Sequence, residues 1–260
     1  MQHNLAIIQA RMSSSRLPGK VMYPLSSLTV LEYMYQRVKQ SKQIDGIIFA
    51  TSTDESDDRL IDFFDFKGMS YYRGPLNDVL ARYYRCSKEY IHLNSLEESN
   101  LNIIRLTGDC PLIDYRVIDH ILESYMASNV DYCSNTLIPT YPDGMDTEIF
   151  SFSTLTAAYH DATLSSEREH VTPFIKKNAT FKKRNVEATA DFSHIRLTLD
   201  EASDYDLLKR ITKYYTSTID YSYLDVISLL TKNPQWMKIN SQLKRDEGLA
   251  NSIKNDCTLE

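Results

Sequence analysis

The sequence predicts an α/β fold with a mainly parallel sheet and a helical C-terminal segment. Three observations predict it. Short apolar runs alternate with amphipathic stretches through the first half of the chain. The interval between runs leaves room for a helix, so successive runs read as βαβ units. Three runs lead directly into charged residues, Arg11, Asp109 and Asp200. Open parallel sheets collect ligands at such strand ends.

In chain order, residues 5–10 (LAIIQA) read as a strand. Residues 28–41 read as a helix, because Leu28, Leu31, Met34, Tyr35 and Val38 keep helical spacing. Residues 46–52 form a second strand. Residues 57–66 form a helix with Asp57 as N-cap and Gly68 as its stop. A short strand at 69–74, a helix at 77–91 and a strand at 102–109 follow. Then come a helix at 113–127 and strands at 131–135 and 147–152. Residues 167–178 read as a helix that bends or splits at Pro173. Residues 194–200 read as a strand ending in Asp200, and from 204 the chain is mostly helical. The β-rich middle reads as an insertion or arm on the same core. The expectation is one domain over 1–258, with about 204–258 as a helical extension. Leu259 and Glu260 read as a cloning remnant and are set aside.

Composition narrows the function. A chain of 260 residues builds its core without disulfide staples. Cys86, Cys110, Cys133 and Cys257 form no C-x-x-C pair and read as buried or half-buried reduced thiols of a cytoplasmic protein. No apolar run approaches the roughly 20 residues of a membrane span, and no signal-peptide pattern opens the chain. The net charge of −6, from 29 basic and 35 acidic residues, argues against a broad nucleic-acid surface.

Against that acidic background the stretch at 6–20, AIIQARMSSSRLPGK, is a local exception. An apolar run breaks into three serines and Pro18-Gly19, with Arg11, Arg16 and Lys20 within ten positions. The backbone N–H groups of such a loop suit an anion. The plainer alternative is a solvated basic turn, whose three cations repel one another. One cationic and two anionic strand ends suit a polyphosphate carrying a divalent cation. Taken singly, an Asp after a strand is more often a turn or cap residue. Other phosphate motifs are absent: Lys20 is followed by Val21, which breaks Walker A, and the seven glycines contain no G-x-G pair. His170 has no sequence neighbours at metal-ligand spacing.

These residues carry a resemblance. IIQARMSSSRLPGK resembles the opening motif A-R-x-x-S-x-R-x-P-x-K of the cytidylyltransferases that activate acylneuraminate and Kdo sugars. Arg11, Ser14, Arg16, Pro18 and Lys20 fall in register. RLTGDCPLID (105–114) resembles that family's metal-binding strand end, at Asp109. RLTLDEASDYDLL (196–208) resembles its D-T-x-x-D segment, with Asp200 at the second metal position and Asp204 at the following acid. The blocks at 50–60, 73–83, 140–150 and 167–173 resemble the SpsF-type, spore-coat polysaccharide branch. The sialic-acid enzymes carry an aspartate two positions before the second metal aspartate; here that position is Thr198, which implies a thinner metal site.

The resemblance, which runs from residue 5 to about 210, implies a three-layer nucleotide-binding fold of the nucleotide-diphospho-sugar transferase type. It implies a cytidylyltransferase that joins CTP to a sugar or sugar phosphate and releases pyrophosphate, for surface polysaccharide or glycoconjugate synthesis. Arg11 and Lys20 are then the catalytic cations. Ala10, Arg11, Ser14, Arg16 and Lys20 hold the nucleotide, and Asp109 and Asp200 hold Mg²⁺. Arg73 and Asp78 read as nucleoside contacts, or equally as a strand-end cation and a helix N-terminal acid. Asp143, Asp146, Glu148, Arg168, Glu169 and His170 mark the acceptor pocket, although Pro142-Asp143-Gly144 also reads as a turn. The expected partners are CTP and a small sugar, without nucleic acid or membrane, and a homodimer is expected because related enzymes commonly are dimers. A rival reading is an A-type glycosyltransferase with its D-x-D at 204–206. Another is an inactive nucleotide-binding module.

Overall fold

Alternating burial along the first strand sets the layers. In the computed structural model, which describes residues 2–258, Leu5 and Ile7 point to one side of a sheet and Ala6 and Ile8 to the other. Leu259 and Glu260, read above as a remnant, lie outside the described residues. The strands are β1 (His3–Gln9), β2 (Pro24–Leu25), β3 (Leu28–Thr29), β4 (Gly46–Ser52), β5 (Tyr71–Gly74), β6 (Leu101–Thr107), β7 (Tyr132–Ser134), β8 (Glu148–Ser151) and β9 (Lys183–Asn185). The helices are α1 (Val30–Val38), α2 (Asp58–Lys67), α3 (Val79–Leu93), α4 (Tyr115–Met126), α5 (Phe152–Asp161), α6 (Ser165–His170), α7 (Pro173–Lys177), α8 (Ala202–Tyr214), α9 (Tyr223–Lys232), α10 (Pro234–Met237) and α11 (Glu247–Lys254).

Seven strands form one sheet in the order β5-β4-β1-β6-β8-β7-β9, and β2 and β3 pair separately. β5, β4, β1 and β6 run parallel. β8 is antiparallel to both its neighbours, and β9 is parallel to β7. The sheet is therefore mainly parallel. One face packs on α1, α2, α4, α8 and α9 through residues such as Leu31, Phe64, Ile118, Leu208 and Leu230. The other packs on α3, α5 and α7 through Leu80, Phe152, Leu155 and Ile175. Each buried aliphatic or aromatic side chain contributes roughly 1.5–3 kcal/mol. The β-rich middle belongs to this same sheet. No helix of the described residues is long and apolar enough to cross a membrane.

Several elements differ from the sequence reading. The first helix is shorter than 28–41, because Leu28–Thr29 pair with Pro24–Leu25 and the Thr29 side chain caps α1 by accepting from Glu32 N–H. The helix expected at 167–178 is two helices, with Pro173 opening α7. Val171, at the break, is a buried β-branched residue at φ 73°, a strained position. α5 was not expected; Ser151 caps it by accepting from Thr154 N–H. Residues 194–200 are not a sheet strand. Within them 195–199 are buried, but their backbone pairs with loops: Asp143 N–H to Ile195 O at 2.9 Å, Leu197 N–H to Asp143 O at 2.7 Å and Leu199 N–H to Asp109 O at 2.8 Å. Gly144 makes this approach possible, since a Cβ there would lie 2.8 Å from the Leu197 carbonyl carbon and its φ is +104°. Asp57 sits at the N-cap position of α2 but its side chain does not cap. Cys257 is exposed, unlike the three other thiols.

Candidate active site

The loop after β1 is shaped by backbone bonds and one buried acid. Ala10 N–H still bonds Ala50 O at 3.1 Å. Beyond it the Met12 carbonyl accepts from both Ser14 N–H (3.0 Å) and Gly19 N–H (2.8 Å), which folds the serine stretch into a closed turn. Gly19 takes φ 69°, and a single helical turn, Lys20–Met22, follows. Asp57, fully buried, accepts from Met12 N–H at 2.6 Å, Thr51 Oγ1 at 3.0 Å, Ser52 N–H at 3.1 Å and Ser52 Oγ at 2.5 Å. That carboxylate ties the loop to the end of β4.

The turn delivers Lys20 into the crevice between β1 and β6, where the strand order reverses. Its Nζ donates to Asp109 Oδ2 at 2.9 Å and Asp200 Oδ1 at 2.8 Å. Burial opposes the ammonium, but the two carboxylates outweigh it and raise its pKa. Burial alone would raise the Asp109 pKa; the Lys20 charge and hydrogen bond hold it at about 2 instead. The sequence sets Asp109 and Asp200 ninety-one positions apart; the Leu199–Asp109 backbone bond joins them. Thr198, where an aspartate stands in the sialic-acid enzymes, donates its hydroxyl to Asp109 O at 3.3 Å.

Asp200 sits in a wider network. Arg196 donates to Asp200 Oδ2 (2.8 Å), to Asp143 Oδ2 (2.8 Å) and to Asp204 Oδ1 (3.0 Å). Asp204 Oδ2 in turn accepts from Asp200 N–H at 2.9 Å. Arg16 also reaches Asp200 at 2.9 Å. Two of the three loop cations, Arg16 and Lys20, are thus answered by anions. Arg11 is exposed on the cleft wall.

These groups line one cleft of about 850 Å³, within the range of small-molecule sites. Its far end is built on Glu148. Arg105 Nη1 reaches Glu148 Oε1 at 2.9 Å, Lys176 Nζ reaches the same oxygen at 3.3 Å, and Tyr132 donates to Oε2 at 2.8 Å. Burial pushes the Glu148 carboxyl up, but the charges of Lys176 and Arg105 outweigh it and hold the pKa at about 2. Arg105 Nε and Gln9 Oε1 are buried beside the cleft without a protein partner. Asp146 pairs with Arg245. His170 Nε2 lies 2.9 Å from Ser252 Oγ, which donates to Glu169. Residues 244–252 close this side of the cleft.

Ala10, Arg11, Ser14, Arg16, Lys20, Asp109, Asp143, Asp146, Glu148, His170 and Asp200 therefore share one cleft. Arg73, Asp78 and Arg168 do not line it. Arg73 bonds Ser52 O and pairs with Asp58. Asp78 caps α3 and pairs with Arg168 at 2.5 Å, which stitches α3 to α6. Their polar atoms are spent on local structure. The D-x-D reading fails on geometry, because Asp204 is buried under Arg196 while Asp206 pairs with Lys209 on the surface. Asp57, Arg105, Lys176, Arg196 and Arg245 were missed. A lone arginine inside an apolar run, at IIRLT and HIRLT, was the available signal for two of them.

A phosphate-type loop and two carboxylates at the switch point of a three-layer α/β sheet define a nucleotide-using transferase. Within that class, the chain belongs to the cytidylyltransferase family, whose model matches residues 5–232. It is 35% identical over 244 residues to an uncharacterised protein of Methanocaldococcus jannaschii, covering 93% of this chain and 96% of that one. It is 34% identical over 242 residues to the spore coat polysaccharide biosynthesis protein SpsF of Bacillus subtilis, covering 90% and 96%. The solved structure of a cytidylyltransferase from Leptospira borgpetersenii matches with a TM-score of 0.85 at 33% identity, covering 94% of this chain and 99% of that one. The chain is a nucleotidyltransferase of the SpsF type.

Proposed function

We propose that this protein transfers the cytidylyl group of CTP to a sugar or sugar phosphate and releases pyrophosphate, in the synthesis of a surface polysaccharide or glycoconjugate. The meeting of Lys20 with Asp109 and Asp200 at the floor of the cleft carries the reading. An acceptor oxygen attacks the α-phosphorus, and the bond to the bridging oxygen of the β-phosphate breaks. The product is a CMP-linked sugar from a hydroxyl and a CDP-linked sugar from a phosphate. Positioning and charge stabilisation are the protein's main tasks in such a transfer. Arg11 and Lys20 offset charge on the leaving phosphates, while Ala10, Ser14 and Arg16 orient the triphosphate.

Asp109 and Asp200 present two hard oxygens facing one gap, a donor set that fits Mg²⁺ when phosphates and water complete the shell. When bound there, Mg²⁺ neutralises phosphate charge. The acceptor lies at the Glu148 end, against Asp143, Asp146 and His170, with Arg105 and Lys176 added to that set. Residues 1–258 act as one domain of a cytoplasmic homodimer, which light scattering would test.

A screen of pyrophosphate release, with four nucleoside triphosphates against a panel of sugars and sugar phosphates, tests the reading. CTP with one acceptor class is expected to release it. Transfer from a nucleotide sugar, or preference for another base, would overturn the proposal.

A further inference from the structure

We propose that Lys20 holds the place of the divalent cation while nucleotide is absent, so that metal and nucleotide load together. The inference rests on the reading above of Asp109 and Asp200 as metal ligands. Lys20 Nζ stands 2.9 Å from Asp109 Oδ2 and 2.8 Å from Asp200 Oδ1. A Mg²⁺ bound to the same two oxygens, at its usual distance of about 2.0–2.1 Å, would occupy the same gap. Metal and ammonium therefore compete for one position.

The surroundings favour the ammonium until a phosphate arrives. Lys20 is 7% exposed and held by both acids. Arg196 fixes Asp200 by its other oxygen, Oδ2, which keeps Oδ1 turned toward Lys20. Among the described residues no group of three or more His, Cys, Asp or Glu side chains is arranged to hold a metal. Two carboxylates, one of them also paired to Arg16 and Arg196, offer a divalent ion few ligands and little uncompensated charge. A triphosphate changes both terms: its oxygens give Lys20 new acceptors and give the metal the ligands the protein does not supply. The ammonium moves from carboxylate to phosphate, as does Arg16, which shares Asp200 Oδ1 at 2.9 Å, and Asp109 Oδ2 and Asp200 Oδ1 become available together.

Mn²⁺ binding to the full chain, read from the electron paramagnetic resonance of the free ion, tests this without turnover. Without nucleotide, wild type is expected to bind Mn²⁺ at least about tenfold more weakly than with α,β-methylene CTP. Lys20→Met is expected to bind nucleotide-free Mn²⁺ at least about tenfold more tightly than wild type, and adding Asp109→Asn should abolish that gain. Equal binding by a folded Lys20→Met and wild type overturns the proposal. So does nucleotide-free binding by wild type as tight as the nucleotide-bound value, a measurement that stands even if the variant does not fold. A Lys20→Met that gains Mn²⁺ in a chain that never releases pyrophosphate keeps the place-holder and removes the transferase reading. Turnover of CTP by wild type without the Mn²⁺ gain in the variant does the reverse.

Discussion

Asp57 shows how one carboxylate couples a loop to a sheet. It satisfies the Met12 and Ser52 N–H groups and two hydroxyls in a fully buried position. Removing it leaves buried donors without partners, each worth about 1–3 kcal/mol. Asp57→Ala is expected to lower stability by roughly 3 kcal/mol in denaturant titration. Turnover should fall by about a hundredfold, because the loop loses its register. Arg11 is the contrasting case, exposed on the cleft wall. Arg11→Ala should change stability by no more than about 0.5 kcal/mol. Its pyrophosphate release should drop about a hundredfold, as for loss of one preorganised donor. Glu148 predicts a pH dependence. Its carboxyl is held at about 2, below the ordinary 4.5, by Lys176 and Arg105 against the opposing effect of burial. A depressed folded pKa stabilises above the unfolded value and is lost as pH falls through the folded one. Wild type should therefore lose about 3 kcal/mol between pH 4.5 and 2 on this account. Glu148→Gln should be less stable at pH 7 and should flatten that acid limb in unfolding curves.

At the scale of elements, the C-terminal helix differs from those before it. α8 and α9 bury Leu207, Leu208, Ile211, Val226 and Leu230 in the core. α11 buries no residue and is held by polar contacts. Asp256 accepts from Ser166 N–H at 2.8 Å and from the Ser165 and Ser166 hydroxyls, which caps α6 from the far end of the chain. Arg245 reaches Asp146, and Ser252 meets His170 and Glu169. This strap also lies beyond residues 5–232, the stretch that the family model matches. Deleting 241–258 is expected to leave the cooperative melt intact, since no core is exposed. The acceptor KM should rise by roughly tenfold or more while the CTP KM changes little, a split that marks loss of binding at one end of the cleft. Asp256→Ala, which releases only the α6 latch, should give a smaller shift in the same direction.

For the whole molecule, ligand binding should report on folding. The cleft draws residues from β1, β6, β8, the loop before α8 and the C-terminal strap. A nucleotide bridging these segments stabilises the folded chain by about 2.7 kcal/mol at a hundred times its Kd. For a chain of this size that corresponds to a rise of roughly 5–10 °C in melting temperature. CTP with a divalent cation should produce it, and GTP or UTP at equal concentration should produce clearly less. Equal shifts with all nucleotides would show that the cleft reads phosphates without reading the base.

The sequence by itself determined the mainly parallel α/β plan and singled out the charged loop at 11–20, Asp109 and Asp200 as candidates for one site. The plan and the loop are local, written as apolar periodicity and as a short motif of fixed spacing. It also marked Pro173 as the point where a helix divides, because the missing N–H and fixed φ act within one turn. Only the tertiary structure decided what each charge faces. Residues 194–200 carry a strand's apolar pattern, yet their backbone partners lie in loops near 109 and 143, so burial without a neighbouring strand end gave the same pattern as a strand. Asp57 looked like a cap because a cap needs only an acid before a helix; its actual partners, Met12 and Ser52, come from two other segments. Asp78 read equally as a nucleoside contact or a helix N-terminal acid; it caps α3 and pairs with Arg168, read as an acceptor contact, across 90 positions. Charge pairing is set by distances of a few ångströms between segments far apart in the chain, and periodicity carries no information about those distances.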